Sequence, residues 1–430
     1  MGGNLGILLP KVESGIGTTV SGKIYRLHKQ HLSGLLSDLD SKMEERGLDG
    51  ILALGDSTSN NPELLYLVGC SLPRGGFYLK RRGQDPILVV SETDLGSARS
   101  SRVKYVKSFG EVGYYRLLEK DAKRAYINLV KQLVVDAGLE GKIAIYGRNK
   151  PNIILQVSSA LKRMGLSVVE EDSPTLLEEV MMTKDDREIE AIKRVGVAAC
   201  KIVKEILEHL ASCRVGDRLL YKGEELRVGH IKRLVRVLLA EKNLKPLDEM
   251  IFAPAPESSD PHYSGIDSEP IRVGQPIVFD LFPQGSEGYC FDLTRTISIG
   301  SPTPEFREMF EAVLEAQLTV LERLRSGMLA KEAMEAACEV FEKKGYDTPR
   351  TNPKLTKGFT HSLGHGIGLT IGERPYLSLY SQERIVDRQV FTVEPGLYDA
   401  KLGGVRLEDV IVMEGGAAKN LTDLEKMLVY

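Results

Sequence analysis

The stretch from Pro276 to Gly300, PIVFDLFPQGSEGYCFDLTRTISIG, most restricts what this chain can become. Apolar and polar residues alternate on either side of a breaker-rich loop over 283–288, the pattern of a β-hairpin. The period of two puts Val278, Asp280 and Phe282 on one face of the first strand. It puts Asp292, Thr294 and Thr296 on one face of the second. The simplest register centres on Ser286 and opposes Asp280 to Asp292. Like charges directly across a ladder are unfavourable, and these lie among Val, Ile, Phe and Leu. Either the hairpin is a solvated surface ribbon, or something positive sits between the acids.

The pattern recurs. QVFTVEPGLYDAKLGGVRLEDVIVM reads as a second hairpin, centred on Lys401, that opposes Glu394 to Glu408. Before the first hairpin come a helical stripe (Ile189, Ile192, Gly196, Ala199, Val203, Ile206, Leu210) and a helix over about 223–241. Thr183 with Asp186 reads as the cap of the first of these helices. Before the second come a helix with Thr303 as cap, Pro304 at its first position and a stripe of Phe306, Phe310, Val313, Leu314 and Leu321, then a helix over 330–344. A long loop carrying His361 and His365 leads to the second hairpin. Helix, helix and acid-bearing hairpin thus occur twice. A pseudo-twofold domain over 181–430, with its site between the halves, is the economical arrangement.

The rest of the chain reads as a smaller α/β domain over 23–175. A helix over 28–46 is followed by strands at 50–54, 64–68, 76–80, 86–90 and 103–106. Helices at 118–136 and 153–164 then alternate with strands at 142–146 and 166–170. Residues 1–22 read as a loose arm, and Arg74-Gly75-Gly76 as a turn, not a phosphate loop. The whole chain is therefore α+β. At 430 residues two or three domains are expected. A net charge of −3 gives no reason to expect nucleic acid or a membrane surface as partner. The five cysteines are scattered, with no C-x-x-C pair, which suggests reduced thiols and a cytoplasmic setting. No apolar run is long enough for a spanning helix, and the first residues are too short in apolar content for a secretory signal. His28, His31, His209 and His230 read as surface or packing residues.

Asp280, Asp292, Glu394 and Glu408 converging in one pocket would repel. A pair of carboxylates 4 Å apart costs about 4 kcal/mol at an effective dielectric near 20. Two divalent cations cancel the four charges and leave the neutral imidazole of His365 as a fifth donor. Four oxygens and one nitrogen suit manganese, iron, cobalt or zinc, and the set lacks the thiolates of structural zinc.

The series DLFPQGSEGYCFDLTRT, HSLGHGIGL, FTVEPGLY and GGVRLED resembles the creatinase/aminopeptidase P/prolidase superfamily, which shares the pita-bread fold with methionine aminopeptidase. The likeness runs from about Thr183 onward. More faintly, PELLYLVG from Pro62 resembles the family's creatinase-like N-terminal domain. The resemblance implies two divalent metal ions, manganese above cobalt, iron or zinc. Asp280 would hold one and His365 with Glu394 the other, while Asp292 and Glu408 bridge both. Glu394 would also be the general base, Arg406 would orient the second hairpin or the substrate, and His262 and His361 would contact substrate. A homodimer acting on small peptides with proline second is the implied protein. Three departures stand out. The acids of the first hairpin are 12 residues apart, one more than in aminopeptidase P, and the loop opens Leu-Phe-Pro. Ser362 replaces a usual Gly. Gly372 stands where the family's peptidases have a second His, thought to bond the scissile carbonyl; Glu373, Tyr376 or a water could replace it. A C–N hydrolase of the creatinase or ectoine type, a dimethylsulfoniopropionate lyase and a non-catalytic protein are the competing expectations.

Overall fold

The computed structural model describes residues 38–430. The arm over 1–22, the start of the 28–46 helix, His28 and His31 lie outside the described residues. Residues 38–56 with 67–170 form one compact unit, and residues 57–66 with 171–430 another.

In the first unit the end of the expected helix, α1, covers 38–45. Six strands follow: β1 (Gly50–Gly55), β2 (Gly76–Arg81), β3 (Ile87–Val90), β4 (Tyr105–Ser108), β5 (Lys142–Tyr146) and β6 (Ser167–Val168). They form one mixed sheet in the order β4-β3-β2-β1-β5-β6. Strand β1, GILALG, is buried along its whole length, as a run without polar alternation should be when both faces of a sheet are covered. The expected strand at 64–68 is instead a helix, α2 (Pro62–Val68), most of whose residues belong to the second unit. Asn61 Oδ1 accepts from the Leu64 N–H at 3.1 Å and Pro62 supplies a helix-ready first position, a start signal stronger than the β-tendency of the residues after it. A one-turn helix, α3 (Leu95–Ala98), precedes β4. The single helix expected over 118–136 is two, α4 (Tyr114–Asp121) and α5 (Ala125–Asp136). With α6 (Pro151–Arg163), α5 packs Leu129, Leu133, Val157 and Leu161 onto Leu52, Phe77 and Leu79 of the sheet.

The second unit has the doubled plan. After α7 (Leu176–Met182) comes α8 (Asp186–Ser212). Its cap is Asp185 with Glu188, not Thr183 with Asp186. Asp185 accepts from the N–H groups of Arg187 and Glu188 at 2.8 and 2.9 Å, and Glu188 accepts from Asp185 N–H at 2.9 Å. A small meander, β7 (Arg214–Val215), β8 (Arg218–Tyr221) and β9 (Glu224–Glu225), takes up the beginning of the next expected helix. That helix, α9, covers Val228–Glu241. Then β10 (Lys245–Pro246) pairs with β13 (Pro283–Gln284), and β11 (Ile251–Pro254) joins β12 (Pro276–Leu281) and β14 (Leu293–Ser298). The second half repeats the order: α10 (Pro304–Arg323), capped by Thr303 as expected, α11 (Ala330–Lys343), and a five-stranded sheet. Its strands are β15 (Gly364–Ile367), β16 (Ile371–Leu377), β17 (Val390–Val393), β20 (Asp409–Glu414) and β21 (Ala417–Asn420). A separate pair, β18 (Gly396–Asp399) and β19 (Gly403–Arg406), forms the tip of the second hairpin. Phe310, Val313 and Val320 of α10 and Ala337 and Phe341 of α11 share one core with Phe391, Val393, Leu407 and Ile411.

The two hairpin registers differ from each other in how they meet the expectation. Gly396 pairs with Arg406 and Val393 with Asp409, so the second hairpin is centred on Lys401 as expected. In the first, Asp280 faces Thr294, not Asp292, and the centre is Glu287. Gly285 N–H bonds to Tyr289 O at 2.9 Å, closing a turn one residue beyond the simplest centre. Partners therefore slide by two, an even number, and every side chain stays on its expected face.

Candidate metal centre

Five strands position the five expected ligands. Asp280 comes from β12, Asp292 from the residue before β14, and His365 from β15, which is a strand and not the loop expected there. Glu394 and Glu408 occupy the break between the β17–β20 ladder and the β18–β19 ladder. One ligand atom each from Asp292, His365 and Glu408 lie within 4.8 Å of one another. His365 Nε2 is 3.4 Å from Glu394 Oε1 and 3.8 Å from Asp292 Oδ2. Thr392 fixes this corner: its hydroxyl accepts from the His365 N–H and donates to Glu394 Oε1, both at 3.1 Å. His365 Nδ1 lies 3.1 Å from both Gly366 O and Gly372 N, while Nε2 faces the acids.

The positive charge expected between the aspartates is partly an arginine. Arg406 Nη2 donates to Asp280 Oδ2 at 2.6 Å, Nη1 to Tyr398 Oη at 2.9 Å and Nε to Thr294 Oγ1 at 3.2 Å. Thr294 in turn donates to Glu408 Oε2 at 2.8 Å. Asp280 Oδ1, Asp292 Oδ1 and Glu408 Oε1 are buried with no hydrogen-bond partner. Burial, then neighbouring carboxylates, pushes Asp292 and Glu408 well above the usual carboxylate range. Burial likewise pushes Glu394 up to about 7. Three orphaned carboxylate oxygens around one imidazole fit divalent cations, whose charge replaces the protons such acids otherwise take up.

The fold and the ligand set meet in the comparisons. The profile of metallopeptidase family M24 matches residues 189–414. The chain belongs to metallopeptidase family M24. It is 28% identical to an Xaa-Pro dipeptidase of Pyrococcus horikoshii over 390 residues, 90% of this chain and 96% of that one. It is 29% identical to an Xaa-Pro dipeptidase of Pyrococcus furiosus, over 92% of this chain and 99% of that one. The solved prolidase of Pyrococcus horikoshii superposes with a TM-score of 0.73 at 26% identity, over 92% of this chain and 99% of that chain. As an M24 protein this chain has the pita-bread fold and is a metal-dependent hydrolase.

Within this M24 site the remaining expected residues divide. His361 lies at its edge, where Nε2 meets Tyr398 Oη at 3.0 Å and Nδ1 meets Ser362 O at 2.7 Å. Because Arg406 donates to the Tyr398 oxygen, the phenol proton points to His361 Nε2. Burial and the Arg406 charge push His361 down to about 4, so it is neutral. His262 is exposed, with its N–H on Asp260 Oδ1 at 3.0 Å, and close enough for its charge to act on His361. Arg406 donates to Asp280, Thr294, Tyr398 and Pro261 O, so most of its N–H groups are taken by the protein. Glu373 cannot stand in for the absent His either. Its carboxylate accepts from Lys184 Nζ at 2.9 Å and from the N–H groups of Leu369 and Thr370 at 2.8 and 3.2 Å. Gly372 has φ +77° with nothing within 4 Å of a Cβ there, so an added side chain meets strained backbone, not a clash.

Two further residues, Thr294 and Gln317, support the candidate ligands. Thr294 was visible only as an ordinary strand residue. Gln317, on the buried face of α10, donates from Nε2 to Val393 O and Leu407 O, both at 2.9 Å. Those carbonyls immediately precede Glu394 and Glu408, so one amide bridges the broken ladder at its two acids. The available signal was an amide where the helix stripe of Val313, Ala316 and Val320 called for an apolar residue.

Proposed function

We propose that this protein is an Xaa-Pro peptidase, cleaving the bond before proline in small peptides. The observation that carries the reading is the set of four carboxylates and one imidazole, three of its carboxylates buried with an orphaned oxygen each, on a chain aligned almost end to end with Xaa-Pro dipeptidases. Asp280 would hold one cation and His365 with Glu394 the other, with Asp292 and Glu408 available to both. When bound, two divalent cations polarise the scissile carbonyl and lower the pKa of water. Glu394, held by Thr392 and facing His365, takes the proton of the attacking water and returns it to the leaving nitrogen. Neutral His361 and exposed His262 border the place where substrate enters. The oxygen-rich ligand set favours manganese. The assembly is a homodimer, and the free thiols suit the cytoplasm. The catalytic domain is 181–430, preceded by the α/β domain at 23–175.

The test is metal analysis with a substrate panel. Reconstitution should give about two ions per chain, and the loaded enzyme should hydrolyse Xaa-Pro dipeptides, Xaa-Pro-Xaa tripeptides or both. No metal retained after trials with manganese, cobalt, iron and zinc would refute the site. Two ions bound with no peptide cleaved, but a creatine-like amide hydrolysed, would refute the peptidase.

A further inference from the structure

Peptide hydrolysis needs a donor to an oxygen that gains charge or must be held in place, and such donors act best when fixed in a site away from bulk water. Most donors around the metal centre are already committed. Arg406 is used on Asp280, Thr294 and Tyr398, and Tyr398 on His361. His361 gives its remaining N–H to Ser362 O. Thr294 and Thr392 hold ligand carboxylates, and Lys184 holds Glu373. His262 and Tyr376 both carry exposed donors.

Tyr376 has the better position. It is the direct cross-strand partner of His365, and directly opposed residues project from the same face of a sheet. Its face is therefore the one His365 turns to the acids. Two register shifts between β15 and β16 bend the strand between Gly372 and Tyr376. The Tyr376 hydroxyl consequently reaches back to donate to Gly372 O at 2.9 Å. It stands over the open ground where Gly372 lacks a side chain and where nothing lies within 4 Å of a Cβ. The ring is steadied by the Arg374 guanidinium, 5.3 Å from its centroid. The residue is 40% exposed, so the bond to Gly372 O is one that water can already replace, and redirecting the hydroxyl costs little.

We propose that Tyr376 is a substrate-contacting residue of this enzyme, its hydroxyl turning from Gly372 O to donate to an acceptor oxygen of the bound peptide. The inference rests on the peptidase reading above. The acceptor is a carbonyl or carboxylate oxygen, and the kinetics tell which.

Tyr376→Phe removes one oxygen and keeps the ring over Arg374, so folding and metal content should match wild type by melting temperature and elemental analysis. On a wild type active toward an Xaa-Pro dipeptide and an Xaa-Pro-Xaa tripeptide, the variant should lose about a hundredfold in kcat/KM. A fall in kcat on both peptides, with a matching loss in calorimetric affinity for a phosphinate peptide analogue, places the donor on the scissile oxygen. A rise in KM confined to the dipeptide places it on the C-terminal carboxylate. Both parameters within threefold of wild type on both peptides, with analogue affinity unchanged, would overturn the proposal while leaving the peptidase standing. A metal-loaded wild type silent on every peptide would overturn the peptidase reading and this inference with it.

Discussion

The two acid-bearing hairpins have the same position in their halves and solve opposite problems. In the first, Asp280 sits within an unbroken ladder, its backbone paired, and what it lacks is a counter-charge. In the second, Glu394 and Glu408 sit where the ladder is broken, and what they lack is a backbone held in line. Each answer comes from outside the hairpin that needs it. Arg406 of the second gives Asp280 its charge. Thr294 of the first gives Glu408 a hydrogen bond, and Glu408 N–H bonds Thr294 O at 3.0 Å. Gln317 of α10 closes the break. An acid inside a ladder is costly because of its charge, and an acid at a gap because of its freedom.

The largest effect expected comes from Asp292→Asn, which halves the first hairpin's charge. Metal and turnover should be lost together, by elemental analysis and peptide assay, and two ions retained would break the picture of a shared ligand. Next, Glu394→Gln keeps shape and loses the base. It should cut kcat by about 10²–10⁴ while metal content falls less. Equal losses of both would make Glu394 only a ligand. The charge-for-alignment contrast is sharpened by two further variants measured by melting of the metal-free protein. Arg406→Met leaves Asp280 buried without its partner and should cost about 3–5 kcal/mol. Thr294→Val removes a neutral donor and should cost only about 1 kcal/mol. Equal costs would erase the distinction.

A pH-dependent effect comes from His361, which meets the second hairpin at Tyr398. Its folded value of about 4 lies below the ordinary imidazole value near 6.5. The folded state therefore binds fewer protons between these limits, and stability should fall as pH drops from about 6.5 towards 4. His361→Gln should flatten that part of the melting-versus-pH curve. An unchanged slope would show that His361 protonates freely.

Much of this arrangement could be read in the residues, with failures of a specific kind. The doubled plan and the gathering of four acids and a histidine were legible, because alternation and acid spacing survive wherever strands pair regularly. The first register slid by two because the Gly285–Tyr289 turn lies inside a loop whose breakers do not say where it closes. Strands β15 and β16 were hidden in an expected loop, since two register shifts interrupt the period that reveals a strand. Asn61 outranked five strand-like residues as a cap. Gln317 was lost because a stripe records which residues are buried and not what a buried amide holds.

The reciprocal bonds between Thr294 and Glu408 and between Arg406 and Asp280 also bear on inheritance. A repeated unit can ordinarily drift half by half. Here a change on one side leaves a charged or polar group stranded on the other, so the halves are bound to vary in step. In chimeras made with distant relatives, a junction placed between 280 and 408 separates partners that were selected together. Junctions before 276 or after 414 move both hairpins as one block, and such progeny should keep their metal.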